Sequence, residues 1–343
     1  MKTNHILLTA ALLLCAASCT KEANEIPDTN DDNALYPVTF SGGIDLVQTK
    51  AEDKNTTLMR KDVKAKVWVC ASDVDLSSSF TSLASQEYTV GENGDLSIGG
   101  SDTIYLAKGT YDFYAVSADS VGTSCPTFSS NESEVLKNGF DYLWVKVDDK
   151  AIEGKASKQN VELKFERKAV NIVINIESGT SNGITLTGWD SSGDSAKILP
   201  PNPDSKCKMK LSDGSITPAT TVLTAGNEAK MTCGEVENNK ATVSYIMLPL
   251  IDATSSPVPT VTLRVKVKNT GESEGVVRTY TTQLKYPSGG FESGKQYTYT
   301  ATLKANGITF TGATVTNWDP VTFNNGEGDL TPTEPDNTDS SGS

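Results

Sequence analysis

The feature that most constrains this chain is an apolar–polar alternation with period two. Val261, Leu263, Val265 and Val267 alternate with Thr262, Arg264, Lys266 and Lys268, and Tyr297, Tyr299, Ala301 and Leu303 alternate with Thr298, Thr300, Thr302 and Lys304. Val63, Ala65 and Val67 alternate with Lys64 and Lys66. Such spacing gathers apolar side chains on one face of a strand, whereas a helix needs a period near 3.6. From Val161 to Ile176 the alternation comes in two halves: Val161, Leu163 and Phe165 share one parity, and Val170, Ile172, Ile174 and Ile176 share the other. The phase flips at Arg167-Lys168, which predicts a bulge or a change of sheet there. Turn-forming clusters such as "GENGD" at 91–95, "NTGESEG" at 269–275 and "PSGG" at 287–290 separate the runs. Only Glu132–Lys137 has room for a helical turn. Many short strands at regular spacing predict an all-β chain of sandwiches.

The ends have a different texture. Ile6 to Ala17 is almost wholly apolar, too short to span a bilayer and suited to the centre of a secretory signal. Ala16, Ala17 and Ser18 followed by Cys19 resemble the lipobox of bacterial lipoproteins, in which the cysteine is acylated; the alternative is an ordinary secretory signal with an incidental cysteine. The formal charge is −13, of which residues 1–34 carry −3 and residues 326–343 carry −5, leaving −5 on the middle. An acidic chain without a basic cluster repels nucleic acid. The polar stretch "DDKAIEGKASKQ" at 148–159 is the best internal boundary. The expected organisation is a signal peptide at 1–18, an acidic tether at 19–35, a β-sandwich at 36–158, a second at 159–325 and an acidic tail at 326–343, disordered for want of apolar residues.

Several chemistries are excluded. The only histidine, His5, lies in the signal, so the mature chain has no His-based triad and no imidazole for a metal. No metal, no cofactor and no enzymatic activity are expected. "GGFESGKQ" at 289–296 contains G-x-x-x-x-G-K, but Gln296 and a strand follow where a phosphate loop needs Ser or Thr and a helix; it reads as a tight turn. Asp148 with Asp149, Asp73 with Asp75, and Asp190 with Asp194 are candidate calcium pairs without the full spacing of a calcium loop. Trp68, Trp144, Trp189 and Trp318 either fill cores or form a sugar-stacking platform, with Trp189 and Trp318, near strand ends, expected to be the exposed pair. Beyond Cys19, the cysteines Cys70, Cys125, Cys207 and Cys233 allow three pairings, the simplest being Cys70–Cys125 and Cys207–Cys233; buried free thiols are the equal alternative.

Four stretches together resemble the fimbrillin family of the Bacteroidales, the fimbrillin-like and Mfa-like lipoprotein pilus subunits. "YPVTFSGGI" at 36–44 resembles the family's opening strand, and "YLAKGTYDFYAVS" at 105–117 its Gly-x-Tyr-x-Phe-Tyr-Ala strand. "VELKFERKAVNIVINI" at 161–176 resembles the strand opening the C-terminal domain, and "FESGKQYTYTATLKANGITFTGATVTNWDP" at 291–320 the closing hairpin. The resemblance implies two tandem transthyretin-like, Greek-key β-sandwich domains. It implies an outer-membrane lipoprotein precursor that supports adhesion at the cell surface, with other fimbrial subunits as partners. A trypsin-like or arginine-specific protease would remove an N-terminal strand, and a neighbouring subunit would donate a strand to the vacated groove. On this chain the implied cut follows Arg60, with Lys61 next to it and Lys50 and Lys54 as alternatives. The implied donor is Gly307 to Trp318, presenting Ile308, Phe310, Val315 and Trp318. The competing reading is a surface lipoprotein that binds glycans or host ligands and never polymerises. Cys19→Ala should release the precursor from membranes on fractionation; persistent membrane association would refute lipidation.

Overall fold

The structure, a computed structural model, describes residues 34–44, 57–72, 74–76, 82–98, 103–155, 157–178, 183–251, 258–285, 289–304 and 307–318. The expected signal, Cys19, the tether as far as residue 33, Lys50, Lys54, Asp73 and the acidic tail lie outside these residues, and the last tether residue, Leu35, already belongs to the first strand. Among the described residues every regular element is a strand, as the alternation requires. The segment expected to allow a helical turn instead begins with a two-residue strand, β9 (Glu132–Ser133), paired with β8 (Phe128–Ser129).

The first sheet contains β1 (Leu35–Ile44), β2 (Thr57–Leu58), β3 (Lys64–Ala71), β4 (Ala84–Val90), β5 (Asp95–Ser97), β6 (Thr103–Ala107), β7 (Gly109–Ser117), β10 (Leu143–Ile152) and β11 (Gln159–Arg167). Its order is β11-β10-β7-β3-β4-β5-β1, and β1 pairs in parallel with β11, so the sheet closes into a ring. The other edge of β1 is shared by β6, β5 and β2 in turn. The first half is thus one closed ring rather than two open sheets face to face. Val38, Phe40, Val67, Val69, Phe113, Leu163 and Phe165 belong to the core it encloses. Residues of opposite parity on the same strands, among them Trp68, Cys70, Tyr114 and Trp144, belong to the second core. Both faces of this wall are therefore covered, which explains the nearly continuous burial of β3 and β7.

The second sheet runs β16 (Thr232–Cys233), β17 (Lys240–Met247), β12 (Val170–Ser178), β22 (Lys295–Lys304), then β23 (Gly307–Phe310) and β24 (Thr314–Asn317), which share the outer edge of β22. The third contains β13 (Ile184–Trp189), β14 (Ala196–Leu199), β15 (Ala229–Lys230), β19 (Thr260–Asn269) and β20 (Val276–Gln283). A short pair, β18 (Leu250–Ile251) with β21 (Gly290–Phe291), completes the set. Ile172, Ile174, Tyr297 and Tyr299 of the second sheet share one core with Val261, Leu263 and Val265 of the third.

The phase flip marks a change of sheet. β11 ends at Arg167 in the first sheet and β12 starts at Val170 in the second. Opposite parities on the two sides of the flip send Val161, Leu163 and Phe165 to the first core and Val170, Ile172 and Ile174 to the second. The change therefore falls after β11 and not at the 158/159 boundary expected from composition. The polar stretch there runs from the end of β10 across the turn into β11, two neighbours in the same sheet. Its polarity reflects exposure of that turn, not a division between cores.

Phe40 sits edge-on to Tyr88 at 5.4 Å and to Phe113 at 5.6 Å between ring centroids. Phe40→Ala should lower unfolding stability by about 3–5 kcal/mol in urea titration, whereas Val315→Ala, at a position 42% exposed, should stay within about 0.5 kcal/mol.

Candidate functional site

The first strand is held as an insert. Tyr36, Val38 and Phe40 point inward and are buried. Thr39 and Ser41, of the other parity, touch Asn160 of β11: the Thr39 hydroxyl lies 3.4 Å from Asn160 Oδ1, and Asn160 Nδ2 donates to Ser41 Oγ at 3.0 Å. The register runs from Val38 opposite Gln159 to Ile44 opposite Phe165. At Gly42 the chain passes close to the 91–95 turn, the amide of Gly42 donating to Gly94 O at 2.8 Å. A Cβ on Gly42 would lie 2.7 Å from Met59 Sδ, and one on Gly94, where φ is +76°, would lie 2.7 Å from Gly42 O. Gly94 needs glycine for both space and conformation, whereas a Cβ at Gly42 would press on Met59 Sδ and lie an ordinary 3.6 Å from Gly94 O.

Arg60 follows in an exposed turn between β2 and β3. Its guanidinium donates to the carbonyl of Asp119, beyond the end of β7. Asp119 itself has φ of +37°; burial pushes its carboxyl above the usual range, and the positive charges of Arg60 and Arg167 pull it back. Neighbouring residues pin the turn: Met59 and Val63 are buried, the Asp62 amide donates to Val90 O at 2.9 Å, and Lys61 pairs with Glu92 at 2.6 Å. Arg60 is therefore reachable, but a protease that needs an extended segment requires local opening around it.

At the other end of the chain, β23 and β24 pair only with β22 among the described residues. Ile308 and Phe310 are half-buried and pack against the second core from this edge. Trp318 is buried, with the Arg167 guanidinium 4.4 Å above its ring. Arg167 in turn forms a buried ion pair with Asp141. The amide of Trp318 donates to Gly294 O at 3.0 Å. The predicted donor residues are thus together on one sheet edge, with Trp318 as the clamp at its end. Asp141 and Asp119 carried no signal in the sequence beyond being charged residues close to predicted strands.

A family model described as fimbrillin-like matches residues 49–318. The chain belongs to the fimbrillin-like family. Among solved structures it is similar to a candidate cell adhesion protein from Bacteroides ovatus, at 17% identity and a TM-score of 0.56 over 84% of this chain and 100% of the other. A second such protein, from Bacteroides uniformis, matches at 17% identity and a TM-score of 0.52 over 84% and 99%. The tip fimbrial protein Mfa3 from Porphyromonas gingivalis matches at 10% identity and a TM-score of 0.43 over 82% and 100%. No curated protein matches the sequence.

Other candidate residues of this fimbrillin-like chain fall into structural roles. The four cysteines Cys70, Cys125, Cys207 and Cys233 are free thiols in the structure, the second of the two readings left open by the sequence. The Cys125 amide donates to Glu87, which lies opposite Lys66 in the β3–β4 register. Cys70 is four residues further along β3, roughly 13 Å at the rise of a strand and beyond the reach of a disulfide. Cys207 lies in a turn whose carbonyl meets the Leu136 amide, whereas Cys233 is on β16 opposite Val243. Burial pushes the thiols up, Cys70 to about 11, Cys125 to about 12 and Cys207 to about 11. Trp318 is buried and Trp189 half-buried, with its Nε1 donating to Gly234 O at 2.7 Å, so neither is the exposed platform residue expected. Trp68 and Trp144 are core residues. Asp190 pairs with Arg264 at 2.7 Å, and Asp194 with Lys197 at 2.9 Å and Lys230 at 3.3 Å, so basic side chains occupy the places a calcium ion would need. Gly294, at φ +72°, makes the tight turn into β22.

The thiols give a direct check. In an unacylated chain carrying Cys19→Ser and lacking residues 1–18, a thiol-reactive dye at pH 8 should label at most the half-buried Cys233 in the native state, and all four in denaturant without reductant. Fewer than four in denaturant would mean that a disulfide forms.

Proposed function

We propose that this fimbrillin-like chain is a structural or accessory subunit of a cell-surface fimbria. It is exported, acylated at Cys19 and held at the outer membrane, cut after Arg60, and joined to its neighbour by strand donation. In this reading the chain is built of two units of the family's transthyretin-like kind, and other fimbrial subunits are its partners. Family membership supports the fimbrial and cell-surface part.

The observation that carries strand donation is the position of β1. It closes the ring, begins the described chain, and is followed by a surface-exposed arginine before the next long strand. A cut after Arg60 leaves β1, β2 and Met59 on a piece with no covalent link to the rest. That piece does not simply fall away, because Tyr36, Val38 and Phe40 are each buried and each is worth about 1.5–3 kcal/mol. It leaves when another strand takes the same pairing. The replacement restores main-chain hydrogen bonds on both sides of the gap and fills the same sockets, and this makes an edge into a polymer joint.

An arginine-specific protease should cut the purified precursor after Arg60 and yield a ladder of species on unheated denaturing gels. Arg60→Ala should stay uncut at this position and stay monomeric. Clean cleavage after Arg60 that leaves only monomers would defeat the proposal.

A further inference from the structure

The outer face of the third sheet is basic, although the chain as a whole carries −13. Arg264, Lys266 and Lys268 take the outward parity of β19, alternating with the buried Val265 and Val267. Lys197 of β14 lies opposite Thr262 of β19, and Lys230 of β15 opposite Lys197, so two more lysines share this face. The carboxylates beside it are already committed. Asp194 pairs with both Lys197 and Lys230, and Asp190 with Arg264. Glu272, near Lys268, accepts from the amide and from Nδ2 of Asn269, each at 2.7 Å. Lys266 is exposed and makes no ion pair among the described residues. Its neighbours across the sheet are Gly188 on β13 and Val277 on β20, so no carboxylate stands in its row. Lys266 and Lys268 are thus the cations left for a partner.

The same chain holds a matching polyanion. Residues 319–343 contain no lysine or arginine, and residues 326–343 carry −5. Glu327 with Asp329, and Glu334 with Asp336, stand two residues apart. In extended backbone such a pair points to one side with a separation of about 7 Å. Lys266 and Lys268 have that same spacing on β19. Pro335, between the second pair, biases Glu334 toward extended backbone. Reach is sufficient: residues 319–343 follow Trp318 and span up to about 80 Å, against roughly 33 Å for β19.

We infer that the acidic tail, residues 326–343, lies across the outer face of the third sheet of its own molecule, with carboxylates two residues apart on Lys266 and Lys268. The covalent connection holds the tail near the face at an effective concentration of about millimolar, an advantage over any free polyanion. Docked, the tail neutralises the face, so an anionic glycan or a neighbour's tail reaches it only by displacement. The contact lies on the surface and is weakened by salt. It does not depend on strand donation.

Zero-length carbodiimide coupling of the full chain, with Cys19→Ser and without residues 1–18, tests the contact directly. Mass spectrometry of the monomer fraction should find Lys266 or Lys268 joined to carboxylates of residues 326–343, and the links should vanish in about 1 M salt, where screening acts within roughly 3 Å. Links spread evenly over lysines of the first half, such as the exposed Lys108 and Lys137, would overturn the site. Links confined to dimers would overturn the assignment to the same molecule. A labelled peptide of residues 326–343 gives a second measurement by fluorescence anisotropy at low salt. It should bind the chain ending at residue 325, and bind the full chain at least tenfold more weakly, because the tail already covers the face. Lys266→Glu with Lys268→Glu should weaken peptide binding to the shortened chain at least tenfold at an unchanged urea midpoint. Lys108→Glu with Lys137→Glu, the same change in net charge, should leave it within twofold. Equal loss in the two double variants, equal binding to the full and shortened chains, or no binding at all overturns the proposal. So does polygalacturonate that binds full and shortened chains alike where the peptide binds neither, which would make a glycan the occupant.

Discussion

The parallel contact between β1 and β11 is the interaction on which the first half depends. Without it the sheet has two free ends, one at β11 and one at β5 and β6, and the Phe40 socket between Tyr88 and Phe113 lies open. Free strand edges beside an apolar slot are sites of uncontrolled pairing. The chain avoids them by filling its own slot with its own first strand. A parallel pair cannot be made by a tight hairpin, and here the partners are 121 residues apart at Thr39 and Asn160. Closing such a contact costs more loop entropy than the local hairpins between them. β1 is then the piece expected to add last to an otherwise paired sheet, which is the property a replaceable strand needs.

The second half repeats the device. β12, its first strand, pairs in parallel with β22, its last long strand, and antiparallel with β17. The difference lies at the outer edge, where β23 and β24 run antiparallel along β22 with nothing beyond them among the described residues. One end of the described chain is therefore enclosed on both sides and the other is a half-held edge. Arg167 stands between these arrangements. It ends β11, pairs with Asp141 and covers Trp318, so the residue at the change of sheet also clamps the end of the C-terminal edge. Nearby, Gly214 at φ +67° packs against the ring of Trp144, where a Cβ would lie only 2.5 Å from Cδ2. This seats a loop of the second half on the wall of the first.

Much of the secondary structure was legible because strands announce themselves by parity. The alternations at 261–268 and 297–304 became β19 and β22, and the flip at Arg167-Lys168 became a change of sheet. Pairing was less legible. Composition put a boundary at 158/159 because a polar turn and a polar linker look alike, and only the partners of β11 distinguish them. The choice between paired and free cysteines was open for a related reason: separation along the sequence says little about distance across a sheet. Trp189 and Trp318 sit near strand ends, where exposure is the usual expectation, but an indole hydrogen bond to Gly234 and an overlying guanidinium hold them in place. Neither partner is near in sequence.

By itself the sequence determined that this chain folds as strands, that its apolar residues fall on alternate sides of them, and that histidine chemistry is absent from all but its first few residues. These follow from residue type and spacing, which act locally. The tertiary structure alone decided that the first strand closes a ring, that Phe40 sits between Tyr88 and Phe113, and that Gly94 is forced by the close approach of Gly42 O. Each of those is a contact between residues brought together by pairing across the sheet, and pairing is a collective choice that no local pattern encodes.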